Sequence, residues 1–309
     1  MSYFPYFRGK QYELICIREN AELIMQAGFT PIIEPVKEQF SSLEKALKSL
    51  KDANANFLII ANPSVGEHAE FLKEDVLRVV TESISDYGQG GWLYKIQSEN
   101  EIEQFNKWTV KHNGTSIFHD GFSSGKILSE FLDSNGLRPN YNIFPSKTPK
   151  TYFRHFKGTN RILIADGFTK CSNKDYPCSE SFSELNITYE DEGANGFGDY
   201  LIVGSDYSEG GGPAYAVAIH ITYKDPDNDN AIYVNHYISE TVDTPLDPAG
   251  KFREALNKLY LDVEKKQSKL LRTNAIEEFM KLHHAGHFPG LGYVKKLSMQ
   301  HHLELMASK

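Results

Sequence analysis

The sequence predicts an α/β fold assembled from repeated strand-then-helix units. Seven β-rich or apolar runs alternate with helix-like runs at intervals of roughly 25 to 30 residues, a rhythm that is typical of βαβ units and a parallel sheet. No GxGxxG motif follows the first strand, so an open dinucleotide-binding sheet lacks its fingerprint. Seven or more such units in series favour a TIM-like (β/α)8 barrel with an inserted β-hairpin and a C-terminal helical extension.

The predicted barrel strands are short and rich in apolar residues. They are YFPYFR (3–8), FTPIIEPV (29–36), NFLIIANP (56–63), GGWLYKIQ (90–97), TSIFHDG (115–121), YNIFPS (141–146) and NRILIADG (160–167). An eighth strand is predicted at 200–203, within the phrase GFGDYLIVGSD, and the later AVAIHITY run is the alternative for it.

Helix-like runs follow most of these strands. Leucines recur at helical spacing in SSLEKALKSLKDA (41–53). Ser98 and Glu101 stand three apart at the start of SENEIEQFNKWTV, which is the pattern of a capping box. The remaining predicted helices are KQYELICIRENAELIMQAG (10–28), EHAEFLKEDVLRVVTESI (67–84), SSGKILSEFLDSNG (123–136) and TPKTYFRHFKG (148–158).

The rhythm of strands and helices changes after residue 166. Two alternating runs, AYAVAIHITY and NAIYVNHYIS, are joined by the turn-rich DPDNDN and predict a β-hairpin. We therefore expect a barrel body at 1–206, an inserted hairpin or cap at 207–240, and C-terminal helices with a docking segment at 241–309, all in one structural unit. Two amphipathic helices are predicted in the last part, in AGKFREALNKLYLDVEKKQ and TNAIEEFMKLHH.

Five of the eleven histidines lie between residues 283 and 305. His283 and His287 are four apart, so they would share one helical face, as two zinc ligands must. No glutamate stands between them in the HExxH manner, and Gly286 weakens the helix there. We expect this stretch to be a packing element that folds back across the barrel through anchors such as Val294 and Leu297.

Composition limits the class of protein. The chain has 309 residues, 40% of them hydrophobic and 24% charged, which is enough for a large core. No apolar run approaches the roughly 18 residues of a spanning helix. The first nineteen residues interrupt their apolar positions with charges, unlike a secretory signal. We therefore expect a cytoplasmic protein without a membrane segment, in which Cys16, Cys171 and Cys178 are ordinary thiols.

Charge is distributed unevenly along the chain. The net charge is −8, which argues against nucleic acid as a partner. Residues 249–309 nevertheless hold eleven Lys and Arg residues against six Asp and Glu residues. Such a basic region can contact an acidic partner, a nucleic acid or the acidic body of its own chain.

Candidate site residues follow from the barrel geometry, because function in this fold sits at the carboxyl ends of the strands. The candidate catalytic carboxylates are Glu34, Asp166 and Asp199, and the candidate substrate-binding residues are Arg8, Lys10, Asn62, Lys95 and His220. The carboxylates could hold a divalent cation or act as acid and base, although the sequence identifies no particular metal. The cations suit an anionic group such as a phosphate.

A purely structural interpretation stands beside each of these assignments. Glu34 in IIEP and Asp166 in ADG could simply end strands with turn-forming residues. His220 lies inside an alternating strand, where a histidine is more often a satisfied core residue than a ligand. Its cross-strand neighbour would be His236.

Several phrases resemble those of an uncharacterised bacterial family, the sce-type family proteins, named after a locus label. The phrases are YFPYFRGKQYEL, PIIEPVK, GFGDYLIVGSDY, AVAIHITY and HFPGLGYVKKLSMQHHLEL. A looser similarity connects them with the beta family proteins. The resemblance implies no established activity. It implies an accessory gene of mobile elements and defence islands, working with a small companion protein. Asp166 lies outside the matching phrases.

Two hypotheses of function follow. The first is a barrel-mouth enzyme that acts on a phosphorylated or nucleotide-like substrate, with phosphoester hydrolysis as its reaction. The second is a non-catalytic binding or sensor component that works with the companion protein. The absence of a P-loop, HExxH or GxSxG motif favours the second.

Overall fold

Eight parallel strands form the first of two sheets in the structure, a computed structural model that describes residues 2–68, 72–85, 87–112 and 114–308. In chain order, the strands of this sheet are β1 (Tyr6–Arg8), β2 (Ile32–Glu34), β3 (Phe57–Ile60), β4 (Gly90–Ile96), β5 (Ser116–His119), β6 (Asn142–Pro145), β7 (Arg161–Ala165) and β9 (Gly196–Asp199). Strand β8 (Ser179–Ser183) belongs to the second sheet. Each strand of the first sheet pairs in parallel with the next one along the chain.

The sheet closes on itself through the segment that precedes β1. Tyr3 forms a parallel bridge with Phe197, and the Phe4 N–H donates to the Phe197 carbonyl at 2.8 Å. A Cβ atom at Gly198 would overlap the Phe4 carbonyl oxygen, and one at Gly196 would lie 2.7 Å from the Ser2 carbonyl oxygen. The two glycines therefore permit the close approach that closes the barrel, and the predicted TIM-like barrel is confirmed.

Helices connect the barrel strands. They are α1 (Gln11–Glu19), α2 (Ala21–Gln26), α3 (Ser41–Asp52), α4 (Glu74–Ser85), α5 (Glu99–Thr109), α6 (Gly125–Ser134) and α7 (Lys150–Phe153). The predicted capping box is present, since the Glu101 carboxylate accepts from the Ser98 backbone N–H. The helix predicted at 67–84 is observed from Glu74 onward, and residues 69–71 of that prediction lie outside the described residues.

The eighth barrel strand is Gly196–Asp199, and the prediction of a strand at 200–203 was wrong. Leu201–Val203 form a 3-10 turn in which Leu201 has a positive φ of 48°. The apolar run Leu-Ile-Val suggested a strand, but the glycines at 196 and 198 provide the backbone that can pair beside β1. The alternative, the AVAIHITY run, belongs to the second sheet.

The chain divides into two compact units. The barrel unit comprises Met1–Asp166 and Thr188–Asp199, and the second unit comprises Gly167–Ile187 and Tyr200–Lys309. This grouping differs from the predicted division, in which a barrel body ran through 1–206 and a hairpin and helices followed. The short helix α8 (Leu185–Thr188) lies where the chain passes from the second unit back into the barrel unit.

The second unit is built on a three-stranded antiparallel sheet in the order β10-β11-β8. Strands β10 (Ala218–Asp225) and β11 (Ala231–Ile238) form the predicted hairpin. Asp229 and Asn230 between them adopt positive φ values of 53° and 64°, which short polar side chains tolerate better than most residues. The hairpin prediction is confirmed, and strand β8 supplies a third strand that the sequence did not reveal.

Three helices complete this unit, namely α9 (Pro248–Val263), α10 (Asn274–Ala285) and α11 (Leu291–Ala307). They bury an apolar core against the sheet, to which Ile219 and Ile221 of β10, Phe252 of α9 and Leu297 of α11 contribute. Helix α11 packs on β10 and α10. None of the helices in the described part of the chain is both long enough and apolar enough to cross a bilayer.

Candidate functional site

An ion cluster lies at the carboxyl ends of the first strands of the barrel. Arg8 and Glu34 are the last residues of β1 and β2, and Lys95 is the last residue but one of β4. Parallel strands end at the same rim of a barrel, so these side chains meet. The Lys95 Nζ atom lies 2.7 Å from Glu34 Oε1, and the Arg8 Nε atom lies 3.7 Å from Glu34 Oε2.

Glu34 is the centre of this ion cluster. Its side chain is 1% exposed. The Tyr6 hydroxyl donates to Oε2 at 2.8 Å and the Ser64 N–H donates to Oε1 at 3.0 Å. Burial alone would raise the pKa of Glu34, but attraction and hydrogen bonding from Lys95, with the bonds from Tyr6 and Ser64, lower that pKa below its ordinary value. Glu34 is therefore a saturated carboxylate that positions cations, because its oxygens already accept from several donors.

Lys95 connects the buried carboxylate to a more accessible one. Its ammonium group donates to the Ser64 hydroxyl at 2.7 Å and lies 3.9 Å from Asp120 Oδ2. The Asp120 side chain is 32% exposed and accepts from the Gln97 amide at 2.8 Å. The site thus places an accessible carboxylate and a hydroxyl beside a buried ammonium. Ser64 is not among the residues predicted from the sequence. Its position two residues after Asn62 was the one feature of the sequence that could have indicated it.

Asn62 is a backbone clamp between two strands. Its Nδ2 donates to the Lys95 carbonyl at 2.9 Å, and its Oδ1 accepts from the Lys95 N–H at 2.8 Å. Both polar ends of the side chain are therefore directed at the backbone of the residue that carries the buried ammonium. Asn62 therefore positions the backbone of Lys95, and its predicted contact with substrate stays a prediction.

Replacing Asn62 with alanine is expected to lower the free energy of unfolding of the barrel by about 1 to 3 kcal/mol, because two buried backbone groups lose their partner. Urea unfolding followed by tryptophan fluorescence measures this quantity, since Trp92 and Trp108 both lie in the barrel unit. The exposed Asn56 serves as the control for an Asn→Ala change. An equal decrease in the free energy of unfolding in the Asn62 and Asn56 variants would contradict the stabilising role of the Asn62 hydrogen bonds.

His119 ends β5 as a neutral, buried imidazole. Its ring nitrogens lie 2.8 Å from the Tyr152 hydroxyl and 3.1 Å from Asn142 Oδ1, and its ring stacks on Phe144 with centroids 4.0 Å apart. Burial lowers the pKa of His119 to about 3, although the hydrogen bond with Asn142 opposes that shift. An imidazole with both nitrogens engaged and no charge at neutral pH stabilises the barrel interior.

The two other candidate carboxylates belong to β9 and to the segment after β7, which lie on the other side of β1 from the strand of Glu34. Asp199 ends β9, is buried, and accepts from the Tyr3 hydroxyl at 2.9 Å. Asp166 follows β7 and is exposed. Strands β9 and β1 lie between β7 and β2 in the barrel, so the predicted Glu34–Asp166 pair does not come from neighbouring strands. Lys10 is half-buried between β1 and α1.

His220 belongs to the second unit, in β10, opposite His236 in β11. The Nδ1 atoms of the two rings are 2.7 Å apart, and the rings of Phe168 and Tyr176 lie against His220. Burial, and then the neighbouring His236 and Lys295, lower the pKa of His220 to about 3. This environment matches the structural interpretation of His220 as a satisfied core residue better than contact with substrate.

Metal binding has no visible donor set in the described residues. Within residues 2–68, 72–85, 87–112 and 114–308, no three His, Cys, Asp or Glu side chains converge as a metal site would require. Both carboxylate oxygens of Glu34 already accept hydrogen bonds, which come from Lys95, Tyr6 and Ser64. The divalent cation that the candidate carboxylates could hold remains a prediction.

No protein-family model and no curated protein matches this chain. Among solved structures, an endo-β-1,4-mannanase of Thermotoga petrophila is similar, with 10% identity, 93% of this chain and 78% of that chain covered, and a TM-score of 0.39. A homocysteine methyltransferase of Escherichia coli matches with 10% identity, coverage of 64% and 89%, and a TM-score of 0.39. A protein of Agrobacterium tumefaciens, named as a glycerophosphoryl diester phosphodiesterase, matches with 10% identity, coverage of 51% and 59%, and a TM-score of 0.32. The strand order itself establishes the barrel, and these distant similarities add nothing about activity.

Proposed function

We propose that the mouth of the barrel binds a phosphate-bearing small molecule, such as a nucleotide-like compound, and hydrolyses its phosphoester bond. The observation that carries the proposal is the position of the Lys95 ammonium between the buried Glu34 and the accessible Asp120. A fixed ammonium within a largely dry site attracts a phosphoryl oxygen more strongly than one in water does. Arg8 adds a second buried cation at the same rim.

Each group in the cluster has a distinct role in this reaction. Asp120 takes a proton from a water molecule, and the oxygen of that water attacks phosphorus. The bond between phosphorus and the leaving oxygen breaks, and the leaving alkoxide takes a proton from solvent. Lys95 neutralises charge on the phosphoryl oxygens, while Glu34 keeps Lys95 and Arg8 in place. The Ser64 hydroxyl accepts from Lys95 Nζ at 2.7 Å and donates to Glu34 Oε1 at 3.5 Å, so it helps to hold the ammonium in place.

Replacing Asp120 with asparagine is expected to lower kcat for phosphoester hydrolysis by about 100-fold or more, because general base catalysis contributes at least that factor. Turnover of bis(p-nitrophenyl) phosphate and p-nitrophenyl phosphate, followed by nucleotide and phosphosugar panels, measures the effect. Asp133, an exposed carboxylate paired with Arg138 on the barrel unit, provides the matched Asp→Asn control. Hydrolysis that persists unchanged in the Asp120 variant would rule out the assigned role.

A second candidate function is a non-catalytic binding or sensor component. The saturation of Glu34 and the neutral burial of His119 favour it, because neither group is available for proton transfer. In the setting that the resemblance implies, the chain would act with a companion protein in defence against phages or mobile elements. A thermal shift by phosphorylated ligands that is lost in Glu34→Gln, with no turnover of any panel member, would favour this function over hydrolysis.

A further inference from the structure

The second unit contains a cleft of about 310 Å³ between the start of α9 and the end of α10. Its size lies at the lower end of the range of small-molecule sites. Phe252, Leu256, Leu282 and Phe288 form its apolar lining, and the rings of Phe252 and Phe288 have centroids 5.3 Å apart. The cleft therefore offers a wall of aromatic and aliphatic side chains to a flat apolar group.

Polar side chains of the same cleft are arranged as donors. The His283 ring stacks on Tyr260 with centroids 4.1 Å apart, and its Nε2 lies 3.4 Å from Asn257 Oδ1. Burial, and then the neighbouring His284, lower the pKa of His283, which favours the neutral imidazole. In the tautomer that this contact favours, His283 donates to Asn257 Oδ1. The Asn257 amide N–H groups are then left to donate to a ligand.

The end of α10 places a further imidazole at the cleft. Gly286 adopts a left-handed φ of 59°, and the His287 N–H donates to the Leu282 carbonyl at 3.1 Å. This is the usual way for a helix to end at a glycine, and it brings His287 into the lining. Arg253 carries the permanent charge among the ten described residues that line the cleft, and none of the ten is acidic.

We infer that this cleft binds a small aromatic carboxylate. The guanidinium of Arg253 matches a carboxylate in a bidentate manner, and the Asn257 amide and the His287 imidazole add donors to its oxygens. The aromatic ring of the ligand packs between the apolar side chains. A cationic ligand would meet Arg253 with no carboxylate to compensate it. The inference concerns the second unit alone and does not depend on the chemistry proposed for the barrel.

The test is a titration of the full chain with benzoate, phenylacetate and indole-3-acetate, followed by ligand-detected NMR and by the imidazole signals of His283 and His287. Saturable binding that shifts these signals is expected. Benzamide and phenylacetamide, which lack the negative charge, are expected to bind at least about ten-fold more weakly, as the loss of a charge-assisted bond implies. Absence of saturable binding by all three acids, or equal binding of the amides, overturns the inference.

Two variants test whether the ligand binds in the cleft. Arg253→Gln removes an exposed charge, and Ala249→Leu puts a larger side chain at an exposed position of the lining. Both are expected to weaken binding about ten-fold or more. Arg272→Gln is the matched control, since Arg272 lies at the opposite end of the α9–α10 pair. Binding that survives both cleft variants, or falls equally in the control, overturns the inference.

Discussion

Replacing Lys95 with methionine is expected to lower the free energy of unfolding of the barrel by about 3 to 5 kcal/mol, the cost of removing one partner from a buried ion pair. Glu34 would stay buried after losing the ammonium that lies 2.7 Å away. Arg8 at 3.7 Å compensates only partly, because its contact is longer. Urea unfolding monitored by tryptophan fluorescence reports on this unit, since both tryptophans belong to it.

The pH dependence of this loss tests its cause. The pKa of Glu34 is lowered in the folded protein, so its contribution is present above the pKa of the unfolded state and is lost as the pH falls through the folded-state value. Without Lys95, burial should raise the pKa of Glu34 instead. The difference in the free energy of unfolding between the variant and the wild type should therefore become smaller as the pH falls.

A double variant and a surface control complete this experiment. Glu34→Gln added to Lys95→Met removes the unpaired charge and is expected to recover part of the lost stability. Lys157→Met, at an exposed position of the same unit, should have little effect. A Lys95 variant as stable as the Lys157 variant would show that the buried pair contributes nothing to folding.

Replacing His119 with glutamine is expected to make the free energy of unfolding of the barrel depend less steeply on pH under acidic conditions. In wild type, the unfolded chain protonates this imidazole below about pH 6.5, while the folded protein keeps it neutral until about pH 3. Stability is therefore full above pH 6.5 and is lost as the pH falls. Between pH 6 and 4 this one group contributes a slope approaching 1.4 kcal/mol per pH unit, to within about a factor of two.

The slope separates titration of His119 from simple loss of packing. Glutamine at position 119 also loses the stacking on Phe144, which lowers stability at every pH without changing its slope. His155, which is exposed in the same unit, provides the matched His→Gln control. A slope between pH 6 and 4 that is the same in wild type and both variants would contradict neutral burial of His119.

The strand ends were predictable because parallel strands finish at one rim. Arg8, Glu34 and Lys95 could be named together from their places after apolar runs, and the structure brings them into one cluster. The role of Asn62 could not be foreseen, because its contacts with the backbone of Lys95 depend on the register between β3 and β4. Proximity follows from topology, whereas the hydrogen-bond partner follows from atomic positions.

The eighth strand and His220 show the limits of predicting structure from local sequence patterns. The run Leu201–Val203 is more strand-like in composition than Gly196–Asp199, yet the strand forms at the glycines because Ser2 and Phe4 approach them from the other end of the chain. His220 does lie opposite His236 in the predicted hairpin, but the Phe168 and Tyr176 rings that lie against it come from a distant part of the chain. Such long-range contacts leave no periodic signal in the sequence.

Closure of the barrel through Tyr3 and Phe197 has a consequence for biosynthesis. At typical ribosomal rates, Phe197 is made about 10 to 40 s after Tyr3. The segment before β1 therefore cannot pair with β9 until nearly two thirds of the chain has been translated. Residues 167–187, which belong to the other unit, are made within that interval. During it, the N-terminal edge carries backbone groups that pair with the Gly196–Asp199 segment in the folded barrel. The nascent chain therefore carries an unpaired strand edge for seconds, and such an edge is a site for wrong edge-to-edge pairing.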